Sequence, residues 1–399
     1  MASNSKNIAE LLNGDTTLTA TDIANDAVTA DKIATGAVVA DGLGAGSVTV
    51  TALGAGSVTA TKLGASAVTT AKINAGAITT AKIANTVNLG RRNLIINGDF
   101  QVNTRGNGSG VSDAGYIGVD RWRGYISTSS TIYFTQTAFA HGQSDVDKDL
   151  RHYLKFDWLG TGSATTKILS QRIENVQKGN GQKVTVSFWG RTEQADDCTV
   201  QLHQHFGTSG SGGVDHVSGT IDLTTSWQYF THTFDLTSTS GKTVGANNSL
   251  RLEFVFGPAT LNSYFEVTGV QVEVGDTATA FEHRSYAEEK YACSRYYVHV
   301  GTGHFPGYQN GGTDAICTIP LITPLRAHPT ITATGTRHVW RQNGFATISS
   351  STVTSSTSNF TDNGPHRSSI ELNTNGSSGG TNGYVCNVYY SGLYFDAEL

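Results

Sequence analysis

Residues Ser249–Phe256 read SLRLEFVF, and every second side chain from Leu250 to Phe256 is large and apolar. This two-residue period places the apolar side chains on one face of an extended strand with one buried side. The same alternation occurs in three further runs: KVTVSFW (183–189), WQYFTHTF (227–234) and YFEVTGVQVEV (264–274). Polar, glycine-rich joints separate the runs and no helical pattern lies between them. The sequence therefore predicts an antiparallel β-sandwich over residues 90–285, and a jelly roll is the common version at this size.

Bulk composition excludes several classes of function. The 399 residues carry a net charge of −5 with only 15% charged residues, so no polybasic surface for nucleic acid is indicated. No apolar run approaches the roughly 18 residues that cross a bilayer, and the N-terminus lacks the pattern of a signal peptide. The four cysteines are far apart and form no CxxC pair, which is typical of buried thiols in a chain folded in a reducing cytosol.

The first 99 residues differ from the rest because they contain no aromatic residue. A ten-residue repeat runs through residues 19–89, and its aliphatic side chains recur every five positions. They are Ile23, Val28, Ile33, Val38, Leu43, Val48, Leu53, Val58, Leu63, Val68, Ile73, Ile78 and Ile83. A spacing of five scatters these side chains around a continuous helix and alternates them across a strand. The chain must therefore change direction in every decade, as a short helical turn, a glycine bend and an extended piece.

One such decade buries too little apolar surface to offset the entropy of ordering ten residues. Several parallel chains that each return an aliphatic residue to a shared axis remove this difficulty. The repeat therefore predicts a stalk of wound identical chains, three being the geometry of a thin rod. The alternative is a disordered linker rich in threonine, alanine and glycine, which has no need of regular aliphatic positions.

Several stretches after residue 90 resemble a widespread family of bacteriophage tail-fibre proteins. They are RRNLIINGDFQVNTRG (91–106), DRW (120–122), SFWGR (187–191), TTSWQYF (224–230), YFEVTGVQVEVGDTATAFEHRSYAEEKYACSRYY (264–297) and the closing SGLYFDAEL (391–399). Decade repeats like the N-terminal ones are similar to those in fibres of marine phages. The resemblance implies a homotrimeric fibre, attached to the virion and assembled in the host cytoplasm, whose carbohydrate-binding-like jelly roll engages the host surface.

Residues 286–399 predict a second, smaller β domain, which we call the tip. The charged stretch after Arg284 is compatible with a helix or an edge strand. Five prolines then interrupt the chain, and short strands alternate with long polar loops. Loops on a rigid scaffold commonly carry recognition. We expect sugar contacts here from Trp340 with its neighbours Arg337 and Arg341, and from Tyr308, Tyr389 and Tyr390, since aromatic planes fit the apolar face of a sugar.

Other candidate sites carry a weaker pattern. Asp145, Asp147 and Asp149 form a DxDxD run that suggests a structural calcium ion, although a solvated acidic loop has the same composition. The pair His203 and His205 favours surface positions over a metal on a trimer axis. The tryptophans Trp122, Trp189 and Trp227 are expected in the core of the sandwich.

Catalysis is not predicted. The sequence lacks GxSxG, HExxH, P-loop and Rossmann patterns. Strand glutamates such as Glu253, Glu266 and Glu273 supply carboxylates, but their relative placement is open at the level of sequence.

The prediction is thus a virion-attachment segment (1–18), a trimeric stalk (19–89), a jelly roll (90–285) and the tip (286–399). The partners expected are two further copies, a phage tail or adaptor protein at the N-terminus, and host polysaccharide or lipopolysaccharide, without nucleic acid or membrane insertion. The rivals are a decoration fibre of head or tail with no receptor role, and a glycan-degrading tailspike.

Overall fold

The computed structural model describes most of the chain after residue 90 and parts of the repeat before it. The described residues are 27–34, 48–49, 53, 57–64, 67–69, 73, 91–111, 114–127, 131–159, 166–193, 196–257, 263–310, 314–333, 337–341, 344–348, 353–355, 369–375 and 385–398. The chain divides into two compact units, residues 1–83 and 84–399. A search of the described residues for membrane-spanning helices finds no candidate.

The second unit begins with a β-sandwich of two six-stranded antiparallel sheets. Sheet A contains, in spatial order, β1 (Gly108–Val111), β4 (Thr131–Ala138), β5 (His152–Leu159), β12 (Ser263–Val274), β7 (Lys183–Thr192) and β10 (Gln228–Asp235). Sheet B contains β2 (Ala114–Gly115), β3 (Arg123–Ile126), β6 (Lys167–Glu174), β11 (Ser249–Phe256), β8 (Asp196–His205) and β9 (Val214–Leu223). The protein is mainly β, and the prediction of antiparallel jelly-roll architecture is confirmed.

Alternation within the strands builds the core between the two sheets. Leu250, Leu252 and Phe254 on β11 are fully buried, and Val186 and Phe188 on β7 join them from the opposite sheet. Full burial of each such side chain contributes about 1.5–3 kcal/mol. The alternate positions of the same strands therefore face away from this core, and they decide what each sheet presents outward.

A helix and a third sheet follow the sandwich. Helix α1 (Tyr286–Ser294) resolves the ambiguity of its charged segment, since Ser285 and Glu288 form a reciprocal capping box at its N-terminus. The C-terminal sheet has eight strands: β13 (Tyr297–Asn310), β14 (Asp314–Pro320), β15 (Thr330–Ala333), β16 (Arg337–Arg341), β17 (Gly344–Ile348), β18 (Val353–Ser355), β19 (Ser369–Asn375) and β20 (Val385–Asp396). Its own apolar cluster includes Val388, Leu393 and Phe395.

In the first unit, two decades contain the expected short helical turn within their described residues. Ala30–Lys32 and Ala60–Lys62 each form one turn of 3-10 helix. In both turns the lysine Nζ donates back to the carbonyl oxygen five residues earlier, at 2.7 Å in each case. The turns therefore fold in the same way wherever the threonine-alanine-x-lysine pattern is described. The predicted axis positions Ile23, Val38, Leu43, Ile78 and Ile83 lie outside the described residues.

Candidate functional sites

The motifs that carry the family resemblance form buried structural contacts. In the NGDF motif, the Asn97 side chain donates to the carbonyl oxygens of Val102 (2.8 Å) and Asp120 (3.0 Å). The Asn97 main-chain NH donates to a carboxylate oxygen of Glu289 on α1, and its carbonyl accepts from the Trp122 indole. These groups are buried in the described structure. These hydrogen bonds thus connect the NGDF motif, the DRW motif and α1. Because the connected groups are buried, they stabilise the fold and are not placed to contact a ligand.

A second buried group, the junction network, joins the sandwich to the C-terminal sheet. Arg105 Nη1 contacts Asp396 Oδ2 at 2.8 Å, and its Nη2 contacts Glu398 Oε1 at 3.3 Å. Arg121 pairs with the other oxygen of Glu398 and stacks on the Tyr296 ring, 3.4 Å from its centroid. Burial raises the pKa of the Glu398 carboxyl, and the two guanidinium groups oppose that rise. Asp396 and Glu398 therefore secure the tip to the sandwich.

The outer side of sheet B presents a cluster of half-buried polar side chains, here called the polar face. Strand pairing places Arg172, Arg251 and His203 directly opposite one another across β6, β11 and β8. The next row contains Glu253 and Gln201, and Arg123 extends the face onto β3. All six side chains are partly exposed and alternate with buried core residues. The arrangement offers cationic, acidic, amide and imidazole groups on one open surface.

One edge of the polar face is ordered by Asp215 on β9. Its carboxylate accepts from Gln201 Nε2 at 2.7 Å and pairs with His203 Nδ1. The prediction that His203 and His205 favour surface positions agrees with their half-buried places on this outer side. An open cleft of about 730 Å³ begins at Arg172 and passes Lys178 and Tyr291. The polar face therefore continues into a concavity.

Positive charges lie close together at the polar face. Burial and the neighbouring Arg172 lower the pKa of Arg251 to about 10. Burial also raises the pKa of Glu253, against the opposing influence of His203 and Arg251. Arg251 Nε is buried and has no hydrogen-bond partner among the described residues. Among the described residues, the charge of Glu253 opposes that of Arg172 and Arg251 only in part, so this part of the surface keeps an excess of positive charge.

Of the tip residues predicted to contact sugar, the structure exposes some and buries others. Tyr308 is 46% exposed, and Tyr389 is half-buried between His304 (4.9 Å between ring centroids) and His338 (5.6 Å). Tyr390 is fully buried in the core of the C-terminal sheet, so its prediction as an exposed sugar platform is wrong. Adjacent residues of a strand point to opposite faces, and Tyr390 takes the inner one. Strand β16 carries Trp340, Arg337 and Arg341, whose side chains lie outside the described structure.

The expected tryptophan core is found for one residue of three. Trp122 is fully buried against Phe100 and Phe254. Trp189 and Trp227 are half-buried instead, since both lie outside the sandwich core. Trp227 packs with Phe139 and Tyr153, at 5.5 Å from each ring, and lies 4.9 Å from the Arg191 guanidinium carbon.

The predicted calcium loop brings two of its three aspartates together. Oxygens of Asp147 and Asp149 and a ring nitrogen of His283 lie within 4.8 Å of one another, and Asp145 is not in this group. Calcium takes six to eight oxygen ligands, so two carboxylates and an imidazole do not form a calcium cage by themselves. The calcium ion stays a prediction.

The strand glutamates considered as catalytic carboxylates have different environments. Glu266 is buried and pairs with Arg191 at 2.5 Å. Glu273 is buried and accepts hydrogen bonds from Thr279 and Gln271. Both belong to sheet A, whereas Glu253 lies on the outer side of sheet B. The hydrogen bonds and the ion pair of Glu266 and Glu273 explain why these two carboxylates are tolerated in buried positions.

No family model and no curated protein matches the chain. Among solved structures, it is similar to a family 11 carbohydrate-binding module from Clostridium thermocellum, with 15% identity over 46% of this chain and 99% of the module, at a TM-score of 0.28. It is also similar to a xylan-binding domain from Paenibacillus barcinonensis, with 10% identity over 47% of this chain and 99% of that domain, at a TM-score of 0.29. A protein from Bacteroides thetaiotaomicron that has been assigned a sugar-binding function matches at 16% identity over 46% of this chain and all of its own, at a TM-score of 0.29.

Proposed function

We propose that the chain is a non-catalytic bacteriophage tail-fibre protein, assembled as a homotrimer, that attaches to a glycan on the host cell surface. Residues 19–89 would form the stalk, and residues 1–18 would engage a phage tail or adaptor protein. The sandwich and the C-terminal sheet would carry the binding surfaces. The resemblance of residues 91–106 and 264–297 to tail-fibre proteins supports the phage assignment.

The observation that carries the fibre proposal is the exposure of the repeat's aliphatic side chains. Eight described axis positions are 42–56% exposed in the single chain: Val28, Ile33, Val48, Leu53, Val58, Leu63, Val68 and Ile73. Their regular spacing distinguishes them from isolated surface aliphatics, which need no explanation. Sister chains packed against the same positions would remove this surface from water, at about 25 cal/mol per Å² of apolar area.

The chemistry of the polar face supports glycan binding. Gln201, His203 and Glu253 offer hydrogen-bond donors and acceptors of the kind that sugar hydroxyls pair with. The exposed Tyr308 on the C-terminal sheet offers an aromatic plane. Three copies on one stalk would raise the effective concentration of each site, so that weak individual contacts give useful avidity.

A binding panel tests the proposal. Fluorescently labelled full-length protein is applied to bacterial cells, purified lipopolysaccharides and surface polysaccharides, with reducing-sugar release followed in parallel. We expect retention on at least one glycan without release of sugar. Release of reducing ends would favour the tailspike, and retention on none of them, together with antibody labelling of virions at the head, would favour the decoration fibre.

Two full-length variants locate the site. One carries Arg172→Gln and Arg251→Gln on the polar face, and the other carries Tyr308→Ala and Tyr389→Ala on the C-terminal sheet. Full-length variants are preferred to a truncation before α1, because Glu398 holds the junction network together. Loss of binding in only one of the two identifies the surface that contacts the glycan.

A further inference from the structure

The arginines of the polar face differ from most other arginines of the described structure. Arg91, Arg105, Arg121, Arg191, Arg284 and Arg295 each contact a carboxylate within 4.0 Å. Arg123, Arg172 and Arg251 lie on three neighbouring strands, and none has such a contact with a described residue. Arg172 and Arg251 are directly opposed, and like charges in that position destabilise a sheet.

Partial burial makes this arrangement more costly. Each of the three side chains is half-buried, so water replaces only part of the missing contacts. The buried Arg251 Nε donates to no described atom. A guanidinium group in this condition can bind an acceptor that the described part of the chain does not supply.

The carboxylates near the polar face leave an excess of positive charge. Glu253 is the one carboxylate among the six side chains of the polar face. At the edge of the face, Asp215 already accepts a hydrogen bond from Gln201 and pairs with His203. Glu398, near the other edge, is matched by Arg105 and Arg121. The nearby His205 is consistent with this excess, because burial and then Arg251 and Arg172 lower its pKa.

We propose that the polar face binds an acidic polysaccharide, with a sugar carboxylate held between Arg172 and Arg251. This inference rests on the proposed function and specifies its ligand class. A planar guanidinium group donates two parallel hydrogen bonds to a carboxylate, which a neutral sugar cannot accept in that form. The cleft that starts at Arg172 gives room for further sugar units. In the next row of the polar face, Gln201 and Glu253 offer hydrogen-bonding groups to sugar hydroxyls outside the cleft.

The negative net charge of the chain opposes long-range attraction of an acidic polysaccharide. At −5 the whole protein repels polyanions, so retention of an acidic polymer would require a local site. Charge-assisted contacts of this kind weaken as salt screens them, over a distance of about 8 Å at physiological ionic strength. The affinity should therefore fall with added salt and still depend on the two named arginines.

Affinity gel electrophoresis of the full-length protein tests the inference. The acidic probes are polygalacturonate, alginate and hyaluronate, and the neutral probe is fully methyl-esterified polygalacturonate, which keeps the backbone and removes the charge. The test variant carries Arg172→Gln and Arg251→Gln. The control is Arg151→Gln, an exposed arginine before β5 that removes a charge away from the polar face.

We expect retardation by at least one acidic probe and little by the methyl ester. The double variant should bind at least tenfold more weakly, which corresponds to about 1.4 kcal/mol, since it loses the charge-assisted hydrogen bonds of two guanidinium groups. The control should bind as the unchanged protein does. Thermal unfolding of the double variant checks that it is folded.

Three results would overturn the inference. Retention by the methyl ester equal to that by polygalacturonate would leave glycan binding intact and remove the role of the carboxylate. Binding of oligothymidylate as strong as that of the acidic glycans would make the surface a general polyanion site. Failure of all acidic probes with retention on a neutral glycan of the binding panel would refute only the acidic ligand, whereas failure on every glycan would refute the proposed function itself.

Discussion

Isoleucine, valine and leucine have opposite environments in the two compact units of the chain. In the sandwich, Val186, Leu250 and Leu252 are fully buried within one chain. In the repeat, Ile33 and Leu53 remain 42% and 44% exposed, although the same residue types recur with equal regularity. The sandwich satisfies its apolar side chains by pairing two sheets. The repeat has turns but no second layer within its described residues, and this is why we propose that other chains cover its aliphatic side chains.

The largest expected effect comes from adding charge to the aliphatic positions of the repeat. Replacing Ile33, Leu53 and Ile73 together by aspartate should abolish assembly, because nine carboxylates per trimer would enter the shared apolar axis. Sedimentation velocity should show a single-chain species. The compact unit of residues 84–399 should keep its unfolding transition, since the substitutions leave its core unchanged.

A matched control keeps the positions aliphatic. The variant Ile33→Leu, Leu53→Ile, Ile73→Leu conserves volume, a type of change that usually costs less than about 1.5 kcal/mol per site. This variant should assemble. Normal assembly of the aspartate variant would show that the five-residue spacing has no role in association.

The next effect concerns the junction network. Glu398→Gln removes the counter-charge of the buried Arg121, and breaking such a pair typically costs about 3–5 kcal/mol. Urea unfolding followed by tryptophan fluorescence measures it, because all five tryptophans lie between residues 122 and 340. Asp235→Asn, which breaks the exposed pair with Lys183, should change the stability far less, because water and salt screen that pair. Equal costs would mean that the junction network is no stronger than a surface contact.

A pH-dependent effect is expected at Asp99 in the NGDF motif. Burial, followed by the nearby Glu289, raises the pKa of Asp99 from 3.8 to about 6. The folded chain therefore retains this proton between about pH 4 and pH 6, and the associated stability is lost as the pH rises through 6. Asp99→Asn should remove a difference on the order of 1–2 kcal/mol between pH 4.5 and 7.5, allowing for partial exposure. Urea midpoints at the two pH values check this, and parallel shifts in both proteins would contradict it.

The smallest effect has the opposite sign. Arg172→Gln with Arg251→Gln relieves two like charges that face each other across β6 and β11, so stability should rise by about 0.2–1 kcal/mol. Differential scanning calorimetry should show a slightly higher melting temperature than for Arg151→Gln. A marked loss of stability would mean that the two arginines stabilise the sheet, and would argue against a role in ligand binding that strains it.

Local periodicity was sufficient to predict most of the sandwich. The run Ser249–Phe256 coincides with β11, and the run at 264–274 lies within β12, because two-residue alternation is a property of each strand alone. The segment after Arg284 stayed ambiguous in sequence. Its helix depends on the capping box of Ser285 and on the contact of Glu289 with the NGDF motif, and that contact joins distant parts of the chain.

The polar face was missed because it depends on register. Arg251 and Glu253 stand at the outward positions of β11, which the sequence pattern does reveal. Their opposition to Arg172 and Gln201 arises only when β6, β11 and β8 pair, and no local pattern fixes that alignment. The wrong prediction for Tyr390 in the tip has a similar cause. Of two adjacent tyrosines on one strand, the sequence does not show which ring faces the core.

Light scattering coupled to size exclusion tests the central claim most directly. A homotrimer has a molar mass of about 127 kDa, three times the 42.2 kDa of one chain. The account predicts this mass for the full-length protein across a wide range of concentrations. A stable, well-behaved species of 42.2 kDa would contradict it, because the exposed aliphatic side chains of the repeat would then have no partner to cover them.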